Sequence, residues 1–263
     1  MMSGLSRLIG RLRKASRRWA LADRPINDCH DLLKWFREAH ENRVLSGPFQ
    51  GLRYGDLSFG STHLPKLLGT YERELAGFFS RAVLRQYETF INLGCAEGYY
   101  TNGIAHALKE RTDGKLARVT GFDVNEKALD ESRRISALNG LHVTVTQQFD
   151  FRSESWGEGK TLVICDVEGA EIDLVQPSRI PNLNRTDLMI EIHDTDGRTA
   201  ILDELQQRFA VTHASCVILF KPRVGTDFPT DVFPPMDDRV KLEAMDERRK
   251  RGMRWLHLKS NST

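Results

Sequence analysis

Cysteine is scarce: Cys29, Cys95, Cys165 and Cys216 are scattered through 263 residues without metal-ligand spacing. That argues against a disulfide framework and for a reducing, cytoplasmic setting. Long apolar runs are missing too, so no bilayer-spanning segment is expected, and no signal-peptide core stands at the start. Neither sign of charge dominates, with 38 Lys and Arg against 36 Asp and Glu. Bulk electrostatics therefore gives no reason to expect nucleic acid as a partner. Internal repeats and low-complexity tracts are absent. The length allows one large α/β domain or two small ones, with a sizeable core.

A dinucleotide fingerprint, G-x-G-x-x-G, is also lacking, and what replaces it is informative. The apolar run Phe90-Ile-Asn-Leu ends at Gly94-Cys95-Ala96-Glu97-Gly98, and helical sequence follows. A second apolar run, ending Gly121-Phe-Asp123-Val124, comes about thirty residues after the first glycine, the span of one βαβ unit. Gly94 would let the backbone approach a ligand closely. The amides opening the next helix would face an anionic group, and Asp123 could hold a pair of ribose hydroxyls. With no second glycine close behind Gly94, a nucleoside cofactor without phosphates fits better than a dinucleotide. S-adenosyl-L-methionine is such a molecule.

Strand and helix patterns then alternate. Strands are expected at 90–93, 118–122, 142–147, 161–165 and 187–192, and helices at 98–109, 126–138 and near 198–209. Asn125 is the expected cap of the second helix, and Asn139-Gly140 its stop. Such alternation implies a mainly parallel sheet covered on both faces. Further strands are expected at 211–220 and 254–259, separated by a Pro-rich loop (222–235) and a charged helix over 237–250. Residues 27–85 read as mostly helical, broken by the turn-rich stretch 46–60. At the start, Leu5, Leu8, Ile9 and Leu12 recur at helical spacing among Arg7, Arg11, Arg13, Lys14, Arg17 and Arg18. This basic amphipathic segment is either a solvated helix capping the domain, the simpler reading, or one in peripheral contact with the inner face of a membrane.

At these residues the chain resembles the class I S-adenosylmethionine-dependent methyltransferases, and within them the FkbM-like family. The resemblance rests on Ile91-Asn-Leu-Gly94-Cys-Ala-Glu-Gly98-Tyr99-Tyr100, Asp166-Val-Glu168-Gly169-Ala-Glu171 and Glu191-Ile-His193-Asp194. Gly47–Tyr54, Gly69–Leu75, Glu247-Arg248 and Trp255-Leu256 extend it over most of the chain from about Gly47 onward. It implies a Rossmann-like, mainly parallel seven-stranded sheet with an antiparallel edge strand, helices on both faces and a helical N-terminal extension. The organisation would then be a basic segment (1–22), a helical and loop cap (23–85) and a methyltransferase domain (86–263). It also implies O-methylation of a small-molecule or carbohydrate acceptor, with Tyr71 and Glu72 closing over the cofactor's methionine end. Asn92 departs from the pattern, standing where many such enzymes carry an acid. Its amide oxygen can accept from the cofactor's ammonium, but without the charge.

Ligands of an open α/β sheet sit at the carboxyl ends of its strands. The third end gives Phe149-Asp150, where a ring could stack on adenine and a carboxylate meet its amino group; Phe149 reads equally well as core. The fourth and fifth ends bring Asp166, Glu191 and His193, with Glu191 and His193 on one side of their strand by period-two alternation. Ionisable groups at apolar strand ends are costly unless paired or metal-bound. Two chemistries stay open. Asp166 and Glu191, with His193, could hold Mg²⁺ or another divalent cation that acidifies an acceptor hydroxyl. Alternatively, His193 is a general base oriented by a carboxylate. Glu171 is accounted for by the helix dipole, Glu168 lies nearer the site, and the run from Glu247 to Arg251 reads most simply as a solvated helix face. Other classes weighed are a catalytically silent cofactor-fold module docking through its N-terminal helix, an RNA methyltransferase, and a nicotinamide oxidoreductase.

Overall fold

The computed structural model describes residues 26–109, 117–148, 156, 159–193, 201–229, 233, 236–249 and 252–262. The basic amphipathic segment of residues 1–22 lies outside the described residues, as do Phe149, Asp150 and Asp194.

Seven strands form one sheet: β1 (Thr89–Leu93), β2 (Arg118–Phe122), β3 (Thr144–Thr146), β4 (Thr161–Cys165), β5 (Asp187–Ile192), β6 (His213–Leu219) and β7 (Arg254–Ser260). Their order is β3-β2-β1-β4-β5-β7-β6. β1 to β5 pair in parallel, and β7 runs antiparallel to both neighbours. The expected antiparallel strand is therefore β7, standing one place in from the edge that β6 forms. β3 is shorter than the expected 142–147 run, and 144–146 alone pairs with β2.

β1, β4 and β5 are buried along their whole length. They carry apolar residues on both sides because helices cover both faces. Alternate residues divide between two cores. Phe90, Leu162, Ile164, Met189 and Trp255 belong to one cluster, with Phe36, Leu52, Leu67 and Phe79 from the segment before β1. Ile91, Val163, Cys165, Ile190 and Leu256 belong to the other, under Leu205 and Phe209.

Around the sheet lie α1 (Cys29–Ala39), α2 (His63–Leu68), α3 (Arg81–Leu84), α4 (Tyr99–Leu108), α5 (Glu126–Asn139), α6 (Glu171–Leu174), α7 (Ile201–Phe209) and α8 (Asp238–Ala244). Asn125 caps α5 by accepting from the Lys127 amide at 3.1 Å, and Gly140 ends it in the left-handed region at φ 58°. Both were expected. Residues 27–85 are less helical than their pattern suggested. Between α1 and α2 the chain turns back on itself through a bridge of Arg43 with Arg53, driving Phe49, Leu52 and Tyr54 into the sheet's first core. That stretch lies within the expected turn-rich break; the shortfall in helix is beyond it, where 69–80 holds one 3-10 turn, Arg73–Leu75. The charged helix expected over 237–250 stops at Ala244. No helix among the described residues is long and apolar enough to cross a membrane.

Candidate active site

The strand order reverses between β1 and β4, and a cavity of about 740 Å³ opens there at the carboxyl ends. Period-two alternation explains what reaches it. Phe90, Ile164 and Met189 face the first core, so Asn92, Asp166 and Glu191, each two residues further on, share that face.

Gly94 holds φ 76°, and a Cβ built there would lie 1.6 Å from the Asp166 carbonyl oxygen. Only glycine lets the loop after β1 pass so close to the end of β4. Ala96 adopts φ 45°, and its amide donates to Asp123 Oδ2 at 2.7 Å. Asp123 Oδ1 accepts from the Asn125 amide at 2.8 Å. The carboxylate is thereby fixed at the cavity wall, each oxygen retaining further lone pairs for a diol. The Asn92 amide nitrogen donates to Thr101 Oγ1 at 3.1 Å.

The other end of the cavity is ionic. His193 Nδ1 lies 2.7 Å from Glu171 Oε1, and Glu171 is fully buried. A carboxylate there makes Nδ1 the donor and leaves Nε2 for the cavity. Nε2 lies 3.4 Å from Glu168, 3.6 Å from Asp166 and 3.8 Å from Glu191. Donor atoms of Asp166, Glu191 and His193 all fall within 4.8 Å of one another. Burial alone would lower the His193 pKa, but the hydrogen bond it donates to Glu171 and the charges of Glu191 and Glu168 raise it above the usual imidazole value. Burial, reinforced by Glu191 and Glu72, pushes the Asp166 carboxyl well up.

Arg249 lies behind Glu191. Its guanidinium is ion-paired to Glu191, to Glu72 and, at 3.0 Å, to Glu247, and it also donates to the Tyr71 hydroxyl at 3.0 Å. Glu72 sits at φ 45° and also accepts a hydrogen bond from the Tyr100 hydroxyl; burial outweighs Arg249 and raises its pKa to about 8. Arg223 in turn bridges Glu247 and Glu74. The run from Glu247 to Arg249 is thus no solvated helix face. Because β7 is antiparallel, the loop entering it arrives at the same edge of the sheet as the ends of β4 and β5, with Arg254 opposite Ile192. Ala96, Glu168 and Arg248, all lining the cavity, have positive φ without being glycine. Held strain of this kind gathers where geometry serves a ligand.

The cavity wall includes Tyr71, Asn92, Gly94, Cys95, Ala96, Asp123, Asp166, Glu191 and His193 among the residues picked from sequence. Glu97, Gly98 and Val124 do not line it. The Glu97 carboxylate is spent on the cap: it is ion-paired to Lys66 and accepts from Tyr54 at 2.6 Å, Ser58 at 2.9 Å and the Phe59 amide at 3.0 Å. Burial would raise its pKa, but Lys66 and these donors hold it below the usual value. Gly98 opens α4 against Ser132 and Asn102, 2.3 and 2.5 Å from where a Cβ would stand. Val124 is largely exposed. Lys66, Glu171, Glu247 and Arg249 were missed as site residues. The one sequence signal among them was charge inside apolar context at Lys66, within His63-Leu-Pro-Lys-Leu-Leu.

No family model matches the chain, and no curated protein does. Among solved structures, it resembles a methyltransferase from Pyrococcus furiosus at 12% identity and TM-score 0.48, covering 89% of this chain and 98% of that one. It also resembles a Pyrococcus abyssi tRNA (uracil-54, C5)-methyltransferase in complex with S-adenosyl-L-homocysteine, at 15% identity and TM-score 0.46, over 81% of this chain and 43% of that one. A third is an rRNA methylase from Streptococcus thermophilus, at 13% identity and TM-score 0.42, over 67% and 90%.

Proposed function

We propose that the protein is an S-adenosyl-L-methionine-dependent methyltransferase acting on a hydroxyl of a small molecule, sugar or glycan precursor. One observation carries this reading: a single cavity at the strand-order reversal joins the Gly94 loop and Asp123 to the cluster of Asp166, Glu191 and His193. The residues present fit the cofactor. The backbone at Gly94 leaves no room for a side chain, Asp123 is braced with lone pairs to spare for a ribose diol, and the volume is in the usual range for such ligands.

The cofactor, when bound, supplies an electrophilic methyl group on a sulfonium. The chain's own part is to remove the acceptor's proton. His193, held by Glu171 through Nδ1, takes it at Nε2, and the surrounding carboxylates favour the imidazolium that forms. The same cluster also offers donors to a divalent ion: three converge, and the buried Asp166 Oδ1 has no hydrogen-bond partner among the described residues. Asp166, Glu191 and His193 would hold that ion, whose chemistry would be to acidify the hydroxyl.

Calorimetric titration with S-adenosylmethionine and S-adenosylhomocysteine, each with Mg²⁺ or EDTA, tests the reading. Micromolar binding is expected, weakened roughly 100-fold by Asp123→Ala, since a hydrogen-bonded charge contributes about 1.5–3 kcal/mol. No binding under any of these conditions would overturn the assignment and favour a silent cofactor-fold module.

A further inference from the structure

The buried wall behind the His193 cluster is a hub of charge that the proposed chemistry leaves unused. Arg249 is its centre, with a side chain only 8% exposed. All three guanidinium nitrogens are engaged: Nη1 with Glu191, Nη2 with Glu72 and the Tyr71 hydroxyl, Nε with Glu247. A planar fork can serve three carboxylates in this way, whereas a lysine ammonium could not reach all of them. Glu191 therefore has two faces. Oε1 is bound by Arg249, and Oε2 looks toward His193 Nε2 at 3.8 Å. A divalent ion seated among Asp166, Glu191 and His193 would share Glu191 with the guanidinium, so two cations would repel across one carboxylate.

We propose that Arg249 is the resident cation of this site: it orients Glu191 and supplies the positive charge that a divalent ion would otherwise bring, so divalent ions bind there only weakly. Arg249 is then a positioning residue and His193 the group that takes the acceptor's proton. The inference rests on reading the Asp166, Glu191 and His193 cluster as the place where the acceptor is activated. It requires nothing of the cofactor half, which the Asp123→Ala titration examines separately.

The neighbouring Arg223 provides the internal comparison. It belongs to the same buried latch, donating to the Thr70 carbonyl at 2.9 Å and pairing with Glu74 at 2.8 Å, and it has no contact with Glu191. A general weakening of the fold would follow from losing either arginine. A local change in cation affinity would follow only from losing Arg249.

The experiment is a titration of Mn²⁺ into the purified protein, with free ion followed by electron paramagnetic resonance. Wild type is expected to bind more weakly than about 0.1 mM, and Arg249→Gln at least about fivefold more tightly than wild type, because one repelling charge is gone. Arg223→Gln should stay within about threefold of wild type, its charge being one carboxylate further off. Should Arg249→Gln fail to fold, Arg249→Met keeps an unbranched stem in that space without the charge and carries the same expectation. Tighter wild-type binding, a smaller gain in the Arg249 variant, or an equal gain in Arg223→Gln overturns the proposal. Binding of S-adenosylhomocysteine to the same samples reports independently on the cofactor reading.

Discussion

The two ends of the cavity are built on opposite principles. Around Gly94 and Asp123 the site is made by backbone: a glycine with no room for a Cβ, a strained Ala96, and a carboxylate held by two amides of its own neighbourhood. One buried ion pair, Lys66 with Glu97, locks the cap to that loop, and the carboxylate there is fully supplied with donors. Around Glu191 the site is made by side chains from five separate segments. Glu72, Asp166, Glu171, Glu191 and Glu247 gather about Arg223, Arg249 and His193. Negative charge is in excess there, and the raised pKa values of Glu72, Asp166 and Glu247 are its consequence together with burial. A self-contained half of fixed backbone suits a cofactor bound the same way in every turnover. A half with unbalanced acids suits proton removal.

The largest expected effect strikes the half around Gly94. Lys66→Met leaves Glu97 buried without its cation and should cost about 3–5 kcal/mol in chemical denaturation. A loss under about 1 kcal/mol would mean the pair is not the lock described, and the contrast between the halves would collapse.

Gly94→Ala comes next. The added methyl meets the Asp166 carbonyl and demands a left-handed backbone, so a loss of about 2–4 kcal/mol is expected, with weakened S-adenosylhomocysteine binding in calorimetry. Unchanged stability and affinity would show that the loop can relax, contrary to a site built from rigid backbone.

A third test sharpens the acidic half. Glu72 has a folded pKa of about 8, above its ordinary 4.5, and His193 is also raised. Groups raised on folding stabilise most below their unfolded pKa and lose that contribution as pH climbs through the folded one. Thermal denaturation should therefore show stability falling between about pH 5 and pH 8, by at most about 1.4 kcal/mol per pH unit for each proton released. Glu72→Gln should flatten the slope. A profile rising over that window would contradict an excess of buried carboxylate.

Legibility from sequence followed the same division. The Gly94 loop, Asp123 and the strands at 118–122, 161–165 and 187–192 could be read directly, because glycine spacing and apolar runs carry them locally. Alternation also put Glu191 and His193 on one side of β5. The part played by Glu171 was hidden, since an acid in the first turn of a helix already has a local reason to be there. Glu97 misled in the other direction: inside the glycine loop after β1, its carboxylate turns away from the cavity to the cap.

From the residues alone, then, came the parallel α/β sheet, the strand ends at the cavity and the glycine loop beside it, each a property of short stretches whose chemistry is complete in itself. Tertiary structure alone decided that β7 stands inside the edge, that the loop entering it returns to the site, and that Arg249 joins Glu72 and Glu191. Such a bond has no local signature, because the partners become neighbours only when the sheet orders its strands and burial makes each charge seek the others.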